Sequence, residues 1–379
     1  MQRKVTLKEI FFILKLSLGP IWCWPLPKNA TKLKMFCMKL YQFWCIIMAI
    51  CLDLSLLYGV SNHINNIAYV VQQLLLSSSS IHIICNFISY QMKYHNIQNV
   101  THKMEKFCDL IKPREKVVIQ RYIDKCLVFY CTIMCIFYSV AIFTIVLLPT
   151  LQHQPFPTLA EYPFDVSHQP LKTIIYLCQS VVGIMTSAHL CLNVYMALLL
   201  WFTSAKFEML IEEMRETTNV YQLFKCIKVH QELLKYAEEV IFVVRPFAFI
   251  AVSCATFSAI LVFLVFVTHQ SITLMCQFAG LFIITLAEVY MYAWPGEQLI
   301  SMSSTKIAQA AFDIFRAKGQ SIKMHKCLQI IIMKSRKPII VSIPCFLPEL
   351  SHKYFSTFCS TIMSYFTTLR IIILEDENN

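Results

Sequence analysis

The segment LVFYCTIMCIFYSVAIFTIVLL, Leu127 to Leu148, carries no charged residue from end to end. A helix of this length rises about 30 Å, the thickness of a bilayer's hydrocarbon core. Its two flanks differ. Upstream, from Lys93 to Lys125, stand eight lysines and arginines. Downstream, past Pro149, Lys172 is the one basic residue before the next apolar run. The segment predicts a membrane span that stops at Pro149, with its N-terminal side in the cytoplasm, because cytoplasmic loops collect Lys and Arg.

Six more runs follow the same rule. They are Leu40–Val60, Ile67–Tyr90, Leu171–Phe202, Phe247–Val267, Ile272–Tyr292 and Tyr354–Leu374. Eight basic residues precede the first span, none lies between spans one and two, six lie between four and five, none between five and six, and nine between six and seven. The alternation is strict, so the N-terminus lies inside and the short acidic tail, Glu375-Asp376-Glu377, lies outside. The fold class is all-α: a seven-transmembrane bundle of inverted topology with an intracellular helical anchor region. Composition agrees, with 57% hydrophobic and 15% charged residues, against roughly 25% charged in a soluble domain. The net charge of +11 belongs to the inner loops and implies membrane lipid, not nucleic acid, as the partner. Most of the 17 cysteines sit in apolar runs, where a thiol acts as a small hydrophobe.

Expected divisions are a cytoplasmic segment 1–39, spans one to six with intracellular helical extensions over 40–303, an anchor region 304–353, a last span 354–374 and a tail 375–379. In the extensions, Glu208 to Glu239 reads as a charged helix. Lys323 to Arg336 reads as an amphipathic one, with Ile322, Leu328, Ile331 and Ile332 at helical spacing. No Gly-rich phosphate loop, GxSxG elbow, HExxH or paired CxxC occurs, so no catalytic residue, metal or cofactor is assigned. A G-protein-coupled receptor would need an extracellular N-terminus. A transporter would show repeat symmetry and ionisable midplane residues; here Asp53 and Glu288 stand apart in different spans. Asp53 is read as reaching water near the outer end of span one, Glu288 as pairing with a basic loop residue, and His189 as a buried histidine bonded to a neighbouring helix.

Several motifs resemble the insect odorant receptor family. Tyr292-Ala293-Trp294-Pro295-Gly296-Glu297-Gln298-Leu299, with Ser303 and Ala310-Ala311-Phe312, resembles the stretch after its sixth span. Lys334-Ser335-Arg336-Lys337-Pro338 and Ser364-Tyr365-Phe366-Thr367-Thr368-Leu369-Arg370 resemble its later signatures. Phe207-Glu208-Met209-Leu210 and His230-Gln231-Glu232 resemble the ends of its long intracellular loop. Gly19-Pro20-Ile21-Trp22 with Trp24-Pro25 resembles an N-terminal element of such receptors in wasps, bees and ants. Arg316 departs from the pattern, standing where the family usually has tryptophan.

The resemblance implies a plasma-membrane odorant receptor subunit of sensory neuron dendrites. Such a subunit binds a small volatile ligand and forms a cation channel, as a hetero-tetramer, with a co-receptor subunit. A gustatory-type receptor of the same superfamily is the alternative. It also implies ligand-binding residues Leu75, Ser79, Tyr138, Ala141, Ile142, Ile145, Val181, Met185 and Phe278, and a gate at Thr368 and Ile372 in a pore-lining last span.

Overall fold

The computed structural model describes residues 5–151, 154–267, 272–316, 322–343 and 348–377. Among them the chain is a bundle of long helices. A short helix α1 (Leu7–Ser17) opens with a reciprocal cap between Thr6 and Glu9. Then come α2 (Lys32–Asn62), α3 (Ile67–Leu110) and α4 (Pro113–Ile142), the last continued by a π turn (Phe143–Leu147) into α5 (Leu148–Leu151). After a loop follow α6 (Leu171–Arg215), α7 (Val220–Val267) and α8 (Ile272–Ser301), a second π turn (Met302–Lys306) and α9 (Ile307–Arg316). The described chain ends with α10 (Ile322–Ser335) and α11 (His352–Glu377). Six of these units are long and apolar enough to cross a membrane. They correspond to spans one to six of the sequence. The seventh expected span lies within α11, 26 residues long.

Every run read as a span is one part of a longer helix. The 44 residues of α3 rise about 66 Å, so α3 and its neighbours extend well past any hydrocarbon core. The extensions are tied by surface pairs such as Arg121–Glu208 at 2.7 Å and Lys15–Glu105 at 2.9 Å, each contributing at most about 1 kcal/mol. The stretch Glu208–Glu239 is not one helix: α6 ends at Arg215 and α7 starts at Val220, joined by a turn in which Asn219 Oδ1 accepts the Gln222 N–H at 2.9 Å. In α10 the buried stripe is Met324, Cys327, Leu328 and Ile331, while Ile322 is exposed.

Helix α6 is the hub. Two thirds of its most apolar window is buried (67%), against 22% for the unit containing α4, and it packs against α4, α7 and α8. The N-terminal segment is no loose flank. Leu14, Leu18, Ile21 and Cys23 are almost wholly buried, and the Tyr138 hydroxyl donates to the Ser17 carbonyl, halfway along the apolar run of α4. The chain then turns at Gly19–Ile21 through Trp22, whose φ of 48° is uncommon for a bulky residue. Gln42 Nε2 holds that turn by donating to the Trp22 carbonyl at 2.9 Å.

The helix runs two residues past Pro149, to Leu151. A proline leaves the carbonyl four residues earlier without its backbone donor. For Pro149 that carbonyl is Ile145, and the Tyr176 hydroxyl of α6 donates to it at 2.6 Å. The preceding π turn absorbs the misfit. Pro295 in α8 shows the same arrangement: the Met291 carbonyl accepts the Tyr130 hydroxyl at 2.8 Å.

Between α10 and α11 the described residues, 336–343 and 348–351, lie against α8 and the π turn after it as a strap. Leu350 N–H donates to the Val341 carbonyl at 3.0 Å, Ile339 N–H to Ser303 Oγ at 3.2 Å, and His352 N–H to Glu297 Oε2 at 3.2 Å. Leu350 passes over Gly296, the one place on α8 where a Cβ would collide with its backbone.

Candidate functional site

At the end of the bundle opposite the helix extensions, residues 154–170 fold over the mouth of a cavity of about 290 Å³. The loop is fastened by side chains from the helices below. Gln179 Oε1 accepts the Thr158 N–H and hydroxyl, both at 3.0 Å, and Gln179 Nε2 donates to Tyr162 Oη at 3.0 Å. The Leu159 carbonyl accepts Tyr69 Oη at 2.9 Å and Gln73 Nε2 at 3.1 Å.

At the rim Glu161 takes Asn62 Nδ2 at 2.9 Å, His63 Nε2 at 2.6 Å and Tyr69 Oη at 3.3 Å. These bonds, the one from Asn62 foremost, hold its carboxyl below the ordinary 4.5. A lowered folded value means that the clasp contributes stability above the ordinary carboxylate range and loses it as pH falls through the lowered value. The protection factor of loop amides 158–162, with the intrinsic rate at each pH divided out, is therefore expected to fall on acidification in the wild type. In Glu161→Gln it should be low already and insensitive to acid. Unchanged wild-type protection down to strongly acidic pH would count against the clasp.

The wall is apolar: Leu75, Leu76 and Ile83 from α3, Ala141 and Ile145 from α4 and its continuation, Val182 and Gly183 from α6, Val262 from α7, Phe278 and Leu281 from α8. Of the residues proposed from sequence, Leu75, Ser79, Ala141, Ile145 and Phe278 line it. The other four do not. Tyr138 turns to Ser17 of the N-terminal segment. Ile142 is 60% exposed on the outer surface. Val181 is half-buried off the wall, and Met185 is packed inside the core. The reason is rotation. Consecutive helical residues differ by 100°, and the wall of the third span is the stripe Phe137, Ala141, Thr144, Ile145, Leu148, so Tyr138 and Ile142 face elsewhere.

The floor is polar, and sequence reasoning misread it. Each of three helices presents two polar residues four apart, hence on one face: His82 and Asn86 on α3, His189 and Asn193 on α6, Glu288 and Tyr292 on α8. All six are buried. Asn193 Nδ2 donates to Glu288 Oε1 at 2.8 Å, and Tyr292 Oη donates to Asn193 Oδ1 at 2.9 Å. His82 Nε2 stands 3.7 Å from Glu288 Oε1.

Glu288 is thus bonded to Asn193 of α6 at the cavity floor, rather than to a basic loop residue. His189 makes no hydrogen bond to a neighbouring helix: neither ring nitrogen has a partner among the described residues, and the ring meets Phe87 edge-on at 4.3 Å. Asp53 accepts the Ser77 hydroxyl at 2.5 Å, across from span two. The signal was present as three i,i+4 polar pairs in spans two, four and six. It was missed because each residue was read alone.

In α11, Phe366 packs 4.9 Å from Phe263 of α7. Thr368 lies on the exposed face with Tyr365 and Ile371, its hydroxyl donating to the Ser364 carbonyl at 3.0 Å. The side chain of Ile372 lies outside the described residues.

A comparison with curated protein sequences gives no match. Among solved structures, the insect olfactory receptor OR5 from Machilis hrabei matches with a TM-score of 0.77 at 14% identity, over 96% of this chain and 98% of that one. The same receptor in complex with eugenol matches with a TM-score of 0.77 at 13% identity, over 97% and 98%. The likeness establishes the fold: an all-helical, multi-pass membrane bundle. The family model described as 7tm Odorant receptor matches residues 66–361, from the start of α3 into α11, and the chain belongs to the 7tm odorant receptor family.

Proposed function

We propose that this chain is an odorant-receptor subunit that binds a small volatile hydrophobic ligand in the cavity beneath the 154–170 loop. Binding biases a non-selective cation channel, formed with a co-receptor subunit, towards its open state. The observation that carries the reading is the cavity itself: an enclosed apolar wall with a few convergent polar groups, the usual character of a small-molecule site.

In this reading the N-terminus and helix extensions lie in the cytoplasm, as the basic loops require. Segment 1–39 starts there and reaches up among the helices as far as Tyr138, 40–303 forms the bundle, 304–353 is the anchor between subunits, and 354–374, within α11, lines the pore, leaving a short outer tail from 375 to 379. Thr368 and Ile372 form the constriction, and Thr368 on the exposed face of α11 supports that placement. The ligand-binding residues proposed are those on the wall: Leu75, Ser79, Ala141, Ile145 and Phe278. The site of action is the plasma membrane of sensory dendrites.

The test is electrical. Cells expressing the chain with an insect co-receptor should give cation current to a volatile, cells lacking either subunit should not, and blocking G-protein signalling should leave the current intact. Current without the co-receptor, or an N-terminal tag accessible from outside, would sink the reading. The wall supplies a second prediction. At Gly183 a Cβ would stand 3.3 Å from Ile145 Cδ1, and a larger side chain projects into the cavity. Overfilling packed apolar space costs about 1–3 kcal/mol, so Gly183→Leu should raise the half-maximal odorant concentration about tenfold to a hundredfold, with surface expression preserved.

A further inference from the structure

The floor of the cavity holds buried polar groups without partners among the described residues. Glu288, His82 and His189 all line it, and all are more than nine-tenths buried. Neither nitrogen of His189 and not Nε2 of His82 has a hydrogen-bond partner among the described residues. Asn193 already donates from Nδ2 to Glu288 and accepts at Oδ1 from Tyr292. A carboxylate offers about four acceptor positions, and Asn193 fills one of those on Glu288. The described residues lining the cavity include no lysine or arginine. A buried acid keeps its charge only when a cation or several donors meet it, and the described cavity wall of this chain brings no cation.

We propose that the ligand brings it: the cavity takes a volatile primary amine, its nitrogen seated between Glu288, His82 and His189 and its alkyl body along the wall of Leu75, Ile145 and Phe278. The inference rests on the cavity being the ligand site. A primary alkyl amine resembles the lysine side chain and is protonated at neutral pH, so it presents three donors and a charge. One donor meets the Glu288 carboxylate. The others meet the acceptor nitrogens of the two imidazoles. An alcohol supplies one donor and no charge, and leaves two of the three acceptors as they are. A carboxylate would be repelled by Glu288. The apolar wall alone would not separate these three ligands, because methylene contacts are the same in each. Discrimination therefore resides in the floor, where unmet buried polar groups carry the larger energies.

The experiment compares hexylamine, hexanol and hexane on cells expressing the full chain with a co-receptor, for the wild type, Glu288→Gln, Glu288→Asp and Gly183→Leu. In the wild type, hexylamine is expected to act at about a tenfold lower concentration than hexanol, and hexane to be the weakest. Glu288→Gln keeps the side chain's shape and removes its charge. It should raise the half-maximal hexylamine concentration about a hundredfold while leaving hexanol within about threefold, a selective loss near 2.7 kcal/mol. Glu288→Asp, which keeps the charge, should restore part of the amine preference.

Equal potency of amine and alcohol in the wild type would overturn the proposal. So would a Glu288→Gln shift of equal size for both ligands, which marks a merely structural carboxyl. Where no probe evokes current, the melting temperature of the purified full chain reads binding directly. Stabilisation by hexylamine alone supports the proposal, and equal or no stabilisation overturns it. If Gly183→Leu changes no response, the cavity is not the ligand site and the wider reading fails. If Gly183→Leu blunts all ligands but Glu288→Gln does not single out the amine, the amine assignment fails alone.

Discussion

Gly296→Ala is expected to detach the strap from α8 and to destabilise the whole receptor by about 3 kcal/mol, the upper part of the usual range for overpacking. The added methyl would collide with the Leu350 carbonyl oxygen, and the carbonyl carbon would lie 3.2 Å away. Both are backbone, held by the Leu350 N–H bond to Val341, so no rotamer relieves the clash. Leu350 and Val341 are almost fully buried, and displacing the strap opens that core. Thermal melting of the detergent-solubilised protein and its yield as a monodisperse species would read the effect. Gly280→Ala on the same helix is the control: nothing lies within 4 Å of its added methyl. Alanine is there expected to be neutral or to stabilise by up to about 1 kcal/mol. Equal behaviour of the two variants would refute the strap's tight approach.

Trp201→Ala should cost about 3–5 kcal/mol, the range for deleting a buried indole. Trp201 is 2% exposed and sits where α4, α6 and α8 meet. Its ring stands edge-on to Trp294 at 5.1 Å and to Tyr122 at 5.7 Å. Its Nε1–H donates to Tyr130 Oη at 3.0 Å, which in turn serves the Met291 carbonyl. Trp201→Phe keeps one ring and removes the donor and part of the buried ring volume, so it should cost less, about 1–3 kcal/mol. The ratio between the two variants is the measurement of interest. Near-equal losses would mean that the donor and the lost part of the indole, and not the retained ring, hold this junction.

Because hydrophobic runs and basic loops are linear properties of a chain, the spans and the amphipathic helix α10 were legible in the sequence. Rotation about a helix axis is not linear. Ala141 and Ile142 are both apolar, and only the packing of α4 on α6 decides that one faces the cavity and the other the surface. Burial of charge was misjudged for a related reason. Glu288 was weighed against basic loops nearby in sequence, whereas Asn193 and His82 reach it from other spans.

The two proline–tyrosine pairs make each bend a shared property of two helices. A proline bend left to itself is a hinge that one helix flexes alone. Here the freed carbonyl is occupied from next door, so flexing α4 near Pro149 requires Tyr176 of α6 to follow or to let go, and flexing α8 near Pro295 makes the same demand on Tyr130 of α4. Ile145 presents its side chain to the cavity and its carbonyl to Tyr176. Ile145 is thus the residue at which the cavity wall and the hold of α6 on the helix around Pro149 coincide.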